Sequence, residues 1–400
     1  MLPAETVITR EMVANLESRN IATVLLDYRD IASAVQTALP EWIGGGGDSD
    51  VATAFKSTAS AAPHRRRNPG TPVPRERVEQ WRSNSQPARS LAVWHGQDPY
   101  DPTHMEHLAA HFRETANQLN ALRDAVLKEE EVSAGDLADL VDCHFDEMTR
   151  DANCTLSAAL EIEIDDAITA HSLQMSVLGM AIGVEYDFDY ENTVLIGFVG
   201  MVHDWGLMRV PAAIRNLERP PDDAEFEKIK QHPRHTQEIL RNVRDLPDVV
   251  SRVSFQVHER LDGSGYPQGL EASDIFEMAQ ILYAADVFLT TSIGTFEDAE
   301  LNPYATMVKL LHEVRDGALD PDIVRALLRA VSVFPVGSRV NLSDGALAQV
   351  IRTNPQHYTQ PIVRLIDQAH SQPPDPAIVD LLQSELKVVK ALADRSRSPN

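Results

Sequence analysis

Six residues carry the chemistry open to this chain: His171, His203, Asp204, His232, His258 and Asp286. Four imidazoles and two carboxylates supply enough donors for two divalent metal ions. A mixed nitrogen and carboxylate set suits iron or manganese first, and also zinc, nickel or cobalt, rather than calcium. Asp204 has two oxygens and can serve both ions. Two ions about 3.5–4 Å apart can hold a hydroxide and a phosphoryl oxygen together, which is the chemistry of phosphoester hydrolysis. His203 and Asp204 are the expected catalytic pair. They end an apolar run, Val194 to Val202, where burying two such groups is costly without a partner. Asp286 lies inside ILYAADVFL, mid-helix, where it has no capping role. Any one of the six could be an ordinary core or surface residue; all six together, on helices, point to a metal centre.

The elements that must position them read as helices. From about His104, Leu108, Phe112, Leu119 and Leu122 recur at helical spacing, and Ser133 caps a helix with Leu137, Leu140, Val141 and Phe145 on one face. A further helix is expected through Leu160, Ile164 and Ile168 to His171, Val177 and Met180. His232 opens another, with Pro233 suited to its first turn. From His104 on, no strand signal appears until about residue 335. Residues 96–160 are therefore a helical lead-in and 161–334 a helical bundle holding all six residues. Around it lie a short α/β piece, 1–41, and a flexible linker, 42–95, with Gly44 to Gly47, several prolines and Arg65-Arg66-Arg67. Residues 335–368 read as a β-hairpin module about the turn Ser343-Asp344-Gly345. Residues 369–400 read as a helix, Ala377 to Ala393, and a polar tail. The fold class is mainly α.

The composition narrows the partners. The 400 residues carry a formal charge of −24 and a pI near 4.9. That balance argues against DNA, RNA or an anionic membrane surface as partners. Cys143 and Cys154 form neither a disulfide framework nor a zinc-finger spacing, and they fit a reducing cytoplasm. MLPAETVITR has neither a basic nor an apolar leader region. The longest apolar run, ending at Val202, is too short to span a bilayer. A cytoplasmic location is expected.

The segment from about 160 to 335 resembles the HD-GYP family, a branch of the HD phosphohydrolases. The residues that carry the likeness are His171, His203-Asp204, His232-Pro233, the run HERLDGSGYP from His258 to Pro267, and AADVF around Asp286. The resemblance implies an HD-type helical bundle with a two- or three-metal centre that hydrolyses cyclic di-GMP to the linear dinucleotide or GMP. His171, His203, Asp204 and Asp286 would hold one ion, and Asp204, His232 and His258 the other. Arg260, Gly263, Gly265, Tyr266 and Pro267 would line the substrate pocket. The two glycines would allow positive φ and close approach of backbone to ligand. The expected partners are a cyclic dinucleotide and, secondarily, a regulatory protein and a second copy of the chain in a homodimer.

Five positions depart from the family pattern. Leu207 stands where the family has a lysine on phosphate, one turn from His203. Val257 replaces a histidine. Ala167 replaces the glutamate of three-metal members, with Asp165 and Asp166 close by. Gly294 and Glu297 fall where the family carries arginines. The losses at 167 and 257 leave a two-metal set intact; those at 207, 294 and 297 remove positive charge from the substrate phosphates. Three functions follow: a slow cyclic-dinucleotide phosphodiesterase; a non-catalytic regulatory scaffold that binds metal, nucleotide or a partner protein; or a hydrolase of another phosphoester, since the metal centre does not read the base.

Overall fold

The computed structural model describes residues 87–94, 102–217, 219–292, 303–334, 338–354, 357, 359–367 and 378–392. The 1–41 piece and the linker up to residue 86 lie outside these, as do Gly294 and Glu297.

The long helix α1, Pro102–Leu127, buries Leu108, Phe112 and Leu119 against α2, Ala134–Leu160. Ser133 caps α2, its hydroxyl accepting from the Asp136 N–H while the Asp136 carboxylate accepts from the Ser133 N–H. This reciprocal cap uses two donors that helix starts otherwise leave free. The expected continuous helix through Ile164 is broken instead. Residues 161–166 leave the helical path and Asp166 caps a fresh helix, α3, Ala167–Glu185, through the Thr169 N–H at 2.8 Å. Asp166 also pairs with the buried Arg123 at 3.1 Å, so it is engaged away from any metal role.

The helix α4, Tyr190–Val202, lies against α3, and nearly every side chain of both is buried. By length and composition α3 is apolar enough to cross a membrane, but 78% of its apolar window is buried inside the protein, as befits a central core helix. The chain then passes a 3₁₀ turn, Trp205–Arg209, and short helices α5, Ala212–Arg215, and α6, Asp223–Ile229. Helices α7, His232–Leu240, and α8, Asp248–Gln256, follow, then α9, Glu277–Ser292, packed on α3. The bundle closes with α10, Pro303–Arg315, and α11, Pro321–Val331. It is not purely helical: β1, Val132–Ser133, and β2, Val243–Arg244, form a two-residue parallel pair.

The C-terminal module departs most from expectation. It is a five-stranded antiparallel sheet in the order β6-β5-β4-β3-β7, not a single hairpin. Its strands are β3, Arg339–Leu342; β4, Leu347–Arg352; β5, Ile362–Asp367; β6, Ile378–Asp380; and β7, Val388–Leu392. The helix expected over 377–393 is replaced by β6, a 3₁₀ turn and β7. Its apolar residues suit either period, and the free edge of β3 decides: Val340 pairs with Ala391, and both are buried. The sheet is pinned to α2 by a buried ion pair, Arg352 to Asp151 at 2.6 Å, and by Asn153 donating to Thr353 at 2.8 Å.

The end of the expected linker is docked, not free. Residues 87–94 form a 3₁₀ turn, Ala88–Ser90, with Ala88 buried. The Val93 N–H donates to the Met148 carbonyl and the Val93 carbonyl accepts from Ala152. Arg89 reaches the buried Glu185 at 3.0 Å.

Candidate metal centre

Five elements deliver the six donor residues to one place. His171 comes from α3, His203 and Asp204 from the end of α4, His232 from the first position of α7, His258 from the loop after α8, and Asp286 from the middle of α9. Among the described residues their donor atoms form two clusters that share Asp204: His171, His203 and Asp204, and Asp204, His232 and His258. Asp204 Oδ1 lies 3.1 Å from His232 Nε2, 3.4 Å from His203 Nε2 and 3.7 Å from His258 Nε2. Its other oxygen is 3.7 Å from His171 Nε2. Asp286 spans the two clusters, with Oδ1 3.2 Å from His171 Nε2 and Oδ2 3.6 Å from His258 Nδ1.

The backbone turns these rings inward. His203 Nδ1 donates to the Gly200 carbonyl at 2.9 Å and His232 Nδ1 to the Ile229 carbonyl at 2.8 Å. A proton held on Nδ1 leaves the Nε2 lone pair free to bind a metal, the usual second contact of a ligating histidine. His232 Nε2 and His258 Nε2 face each other at 2.9 Å. Among the described residues, His203 Nε2 and Asp204 Oδ1 are buried without a hydrogen-bond partner. Buried polar atoms left without partners are rare and costly, and a bound cation would satisfy them. The donor set thus fits a metal ion by its chemistry and by its orphaned atoms.

The electrostatics agree. Burial pushes the Asp204 carboxyl up, but the surrounding His203, His232 and His258 outweigh it and hold it well below the usual carboxylate range. Burial pulls His203 down to about 4, so the ring is neutral. For His171, burial acts downward and is overcome by Asp286 and Asp204; for His258, it is overcome by the same two acids, and both rings end above their ordinary value.

Close packing places the His203-Asp204 turn. A Cβ on Gly206 would fall 2.0 Å from the His232 carbonyl, so only glycine lets this turn rest on α7. The Gly206 N–H donates to Thr236 Oγ1 at 2.9 Å, and that hydroxyl donates to the His203 carbonyl at 2.7 Å. Thr236 thereby ties two ligand-bearing segments, a role the sequence reading missed.

The loop after His258 is held as firmly. Glu259 is 1% exposed, and its carboxylate accepts from the Gln268 N–H at 2.7 Å and the Leu270 N–H at 2.9 Å. It is a second missed residue; the signal was a carboxylate directly beside a candidate ligand, His258. Gly263 has φ +77°, as expected. Gly265 does not: it is required because a Cβ there would strike the loop's own backbone, 2.4 Å from the Arg260 nitrogen. That close approach is to the loop's own backbone. Tyr266, ahead of Pro267, stacks on His258 with ring centres 4.9 Å apart and planes 9° apart. Burial, with Asp286 and Asp204 nearby, keeps its phenol well above the usual range and therefore protonated.

The expected charge around the substrate is sparse. Arg260 pairs with Glu313 at 2.8 Å, and Glu313 also accepts from the Tyr283 hydroxyl at 3.1 Å. Leu207 follows Asp204 by three residues in a 3₁₀ turn, its N–H donating to the Asp204 carbonyl at 2.9 Å. In that geometry residues three apart eclipse, so Leu207 lines up with Asp204 rather than with His203. Arg215 comes close, but its guanidinium donates to the Leu207 and Met208 carbonyls at 3.3 Å. Val257 is fully buried in apolar packing.

Comparison with known proteins sets this geometry in context. Residues 141–323 match the family model described as HD domain. The chain is 28% identical over 275 residues to the cyclic di-GMP phosphodiesterase PA4108 of Pseudomonas aeruginosa, covering 67% of this chain and 64% of that one. It is 24% identical over 196 residues to the cyclic di-GMP phosphodiesterase PdeB of Borreliella burgdorferi, covering 49% and 51%. It is 27% identical over 165 residues to 3'3'-cGAMP-specific phosphodiesterase 3 of Vibrio cholerae, covering 41% and 35%. The match thus spans less than two thirds of each of these relatives. A solved structure, Bd1817 of Bdellovibrio bacteriovorus, aligns with a TM-score of 0.47 at 21% identity over 57% of this chain and 74% of that one, a likeness too slight to build on.

Proposed function

We propose that this chain is an HD-GYP-type metal-dependent phosphodiesterase acting on a cyclic dinucleotide, with cyclic di-GMP as the substrate of choice. The observation that supports this best is the pair of donor clusters sharing Asp204. His171, His203, Asp204 and Asp286 would hold one divalent ion, and Asp204, His232 and His258 a second. Iron or manganese suits this mixed set best, and zinc, nickel or cobalt would also be accepted. When bound, such ions supply Lewis acidity toward the phosphodiester and the attacking water.

The chain's own residues prepare the site for that reaction. The carbonyls of Gly200 and Ile229 orient His203 and His232. The two oxygens of Asp204 serve both clusters, which makes Asp204 the residue whose loss should matter most. Glu259 fixes the loop that carries Tyr266, and a protonated Tyr266 can donate a hydrogen bond to a substrate oxygen. Gly263, Gly265 and Pro267 shape that loop. Arg260, held by Glu313, acts mainly to brace it. The reaction expected is slow, because Leu207 brings no charge to a phosphate. Incubation of the metal-loaded chain with cyclic di-GMP should release the linear dinucleotide or GMP.

Leu207 also favours a second reading, a regulatory protein that binds metal and nucleotide without cleaving, its partner being another protein or a second copy of this chain. Tight binding of cyclic di-GMP with two ions in place and no product would establish it.

A further inference from the structure

The row of rings that leaves the metal centre does not stop at the loop. Tyr266, stacked on His258, meets Phe226 edge-to-face with ring centres 6.2 Å apart and planes 79° apart. Phe226 belongs to α6, which starts with a capping box between Asp222 and Glu225. No residue of α6 is buried, and Phe226 is 40% exposed. A single exposed apolar side chain is ordinary. This one is held against the rim of the site on a capped helix, with much of its ring in water. Lys230 follows α6 and places Nζ 4.9 Å from the centre of the same ring. Its other partner is Glu227 at 2.7 Å, an exposed pair of the kind that contributes little and yields readily.

We propose that Phe226 and Lys230 form a base-binding subsite: Phe226 stacks on one purine of the cyclic dinucleotide whose phosphate lies at the metal centre, and Lys230 supplies a cation beside it. This rests on the function proposed above and extends it to how the substrate is gripped. The position suits the task, since Phe226 stands two ring contacts from His258, and a nucleotide's base projects away from its phosphate. The chemistry suits it too. Leu207 offers no charge, Arg260 is engaged by Glu313, and Lys230 is a cation held against the half-exposed Phe226 ring. Stacking reads ring area rather than base edges, so the subsite grips guanine and adenine alike.

The test uses the full, metal-loaded chain and three variants, Phe226→Ala, Phe226→Trp and Lys230→Gln. Bound metal, Michaelis constants for cyclic di-GMP and 3'3'-cGAMP, and calorimetric Kd are measured for each. Phe226→Ala is expected to raise KM and Kd by about fivefold or more for both dinucleotides, the low end of what a lost base stack costs, while kcat changes far less and metal content stays constant. Phe226→Trp should bind as well as the natural protein or better. Lys230→Gln should raise KM and flatten its dependence on salt. If the natural chain turns over cyclic di-GMP and Phe226→Ala leaves KM and Kd unchanged, the subsite is wrong while the function stands. If Phe226→Ala loses metal, Phe226 is structural and the subsite is equally wrong. If the natural chain neither binds nor cleaves either dinucleotide, the functional reading falls and the subsite with it.

Discussion

The candidate metal centre and the loop at its rim lie side by side, yet they are built differently. In the centre the donors rest on other groups: a carbonyl behind His203 and one behind His232, two histidine clusters around Asp204, Thr236 between two of the segments. At the rim the loop is fixed just as firmly, through Glu259, but charge is scarce. Leu207 is apolar and Arg260 and Arg215 are occupied by protein groups. The contrast teaches that gathering a donor cluster and placing charge beside it are separable properties of one fold. A chain can keep the first, which depends on packing between five elements, and thin out the second, which depends on single side chains.

The largest effect should come from the centre. Asp204→Ala removes the acid common to both clusters, and elemental analysis should show most of both ions gone and activity abolished. Retention of two ions would break the shared-ligand account. Next in size, Glu259→Gln replaces one of two acceptor oxygens with a donor facing a backbone N–H. Losses of contacts behind a site of this kind typically cost about 10–100-fold, and kcat/KM should fall in that range with metal content intact. Leu207→Lys sharpens the other side of the comparison. One preorganised donor is worth on the order of 10²–10³ in rate; the gain in kcat should be smaller than this, because the rest of the rim is still charge-poor. The same change in the Asp204→Ala background should do nothing.

The smallest effect lies outside both regions. His144 is fully buried between α1 and α2, with neither ring nitrogen hydrogen-bonded, and burial pulls it down to about 3. Its folded value lies below the unfolded one, near 6.5, so the folded state disfavours its protonation. Its contribution to stability is complete above about 6.5 and is lost as pH falls toward 3. The unfolding midpoint should therefore fall on acidification from pH 7 to 5, and His144→Leu should shrink that fall. An unchanged slope would show that other groups govern acid stability.

How far the fold could be read from the residues follows the same division. His203-Asp204 and Asp286 stood out because charged groups in apolar helices need partners, a local signal. The cap at Ser133 and the turn at Ser343-Asp344-Gly345 were local too. What escaped was non-local. Residues 388–392 become a strand because β3, nearly fifty positions earlier, offers an edge. Residues 87–94 dock because Glu185 and the α2 backbone receive them. Gly265 and Glu259 serve the loop's own backbone, which cannot be seen until the loop is closed.

The most direct test of the central claim is a single incubation. The purified chain, loaded with iron or manganese and assayed for bound metal, is mixed with cyclic di-GMP and the products are separated by chromatography. Slow, metal-dependent release of linear dinucleotide or GMP is the predicted result. Two bound ions with intact cyclic di-GMP after prolonged incubation would contradict it.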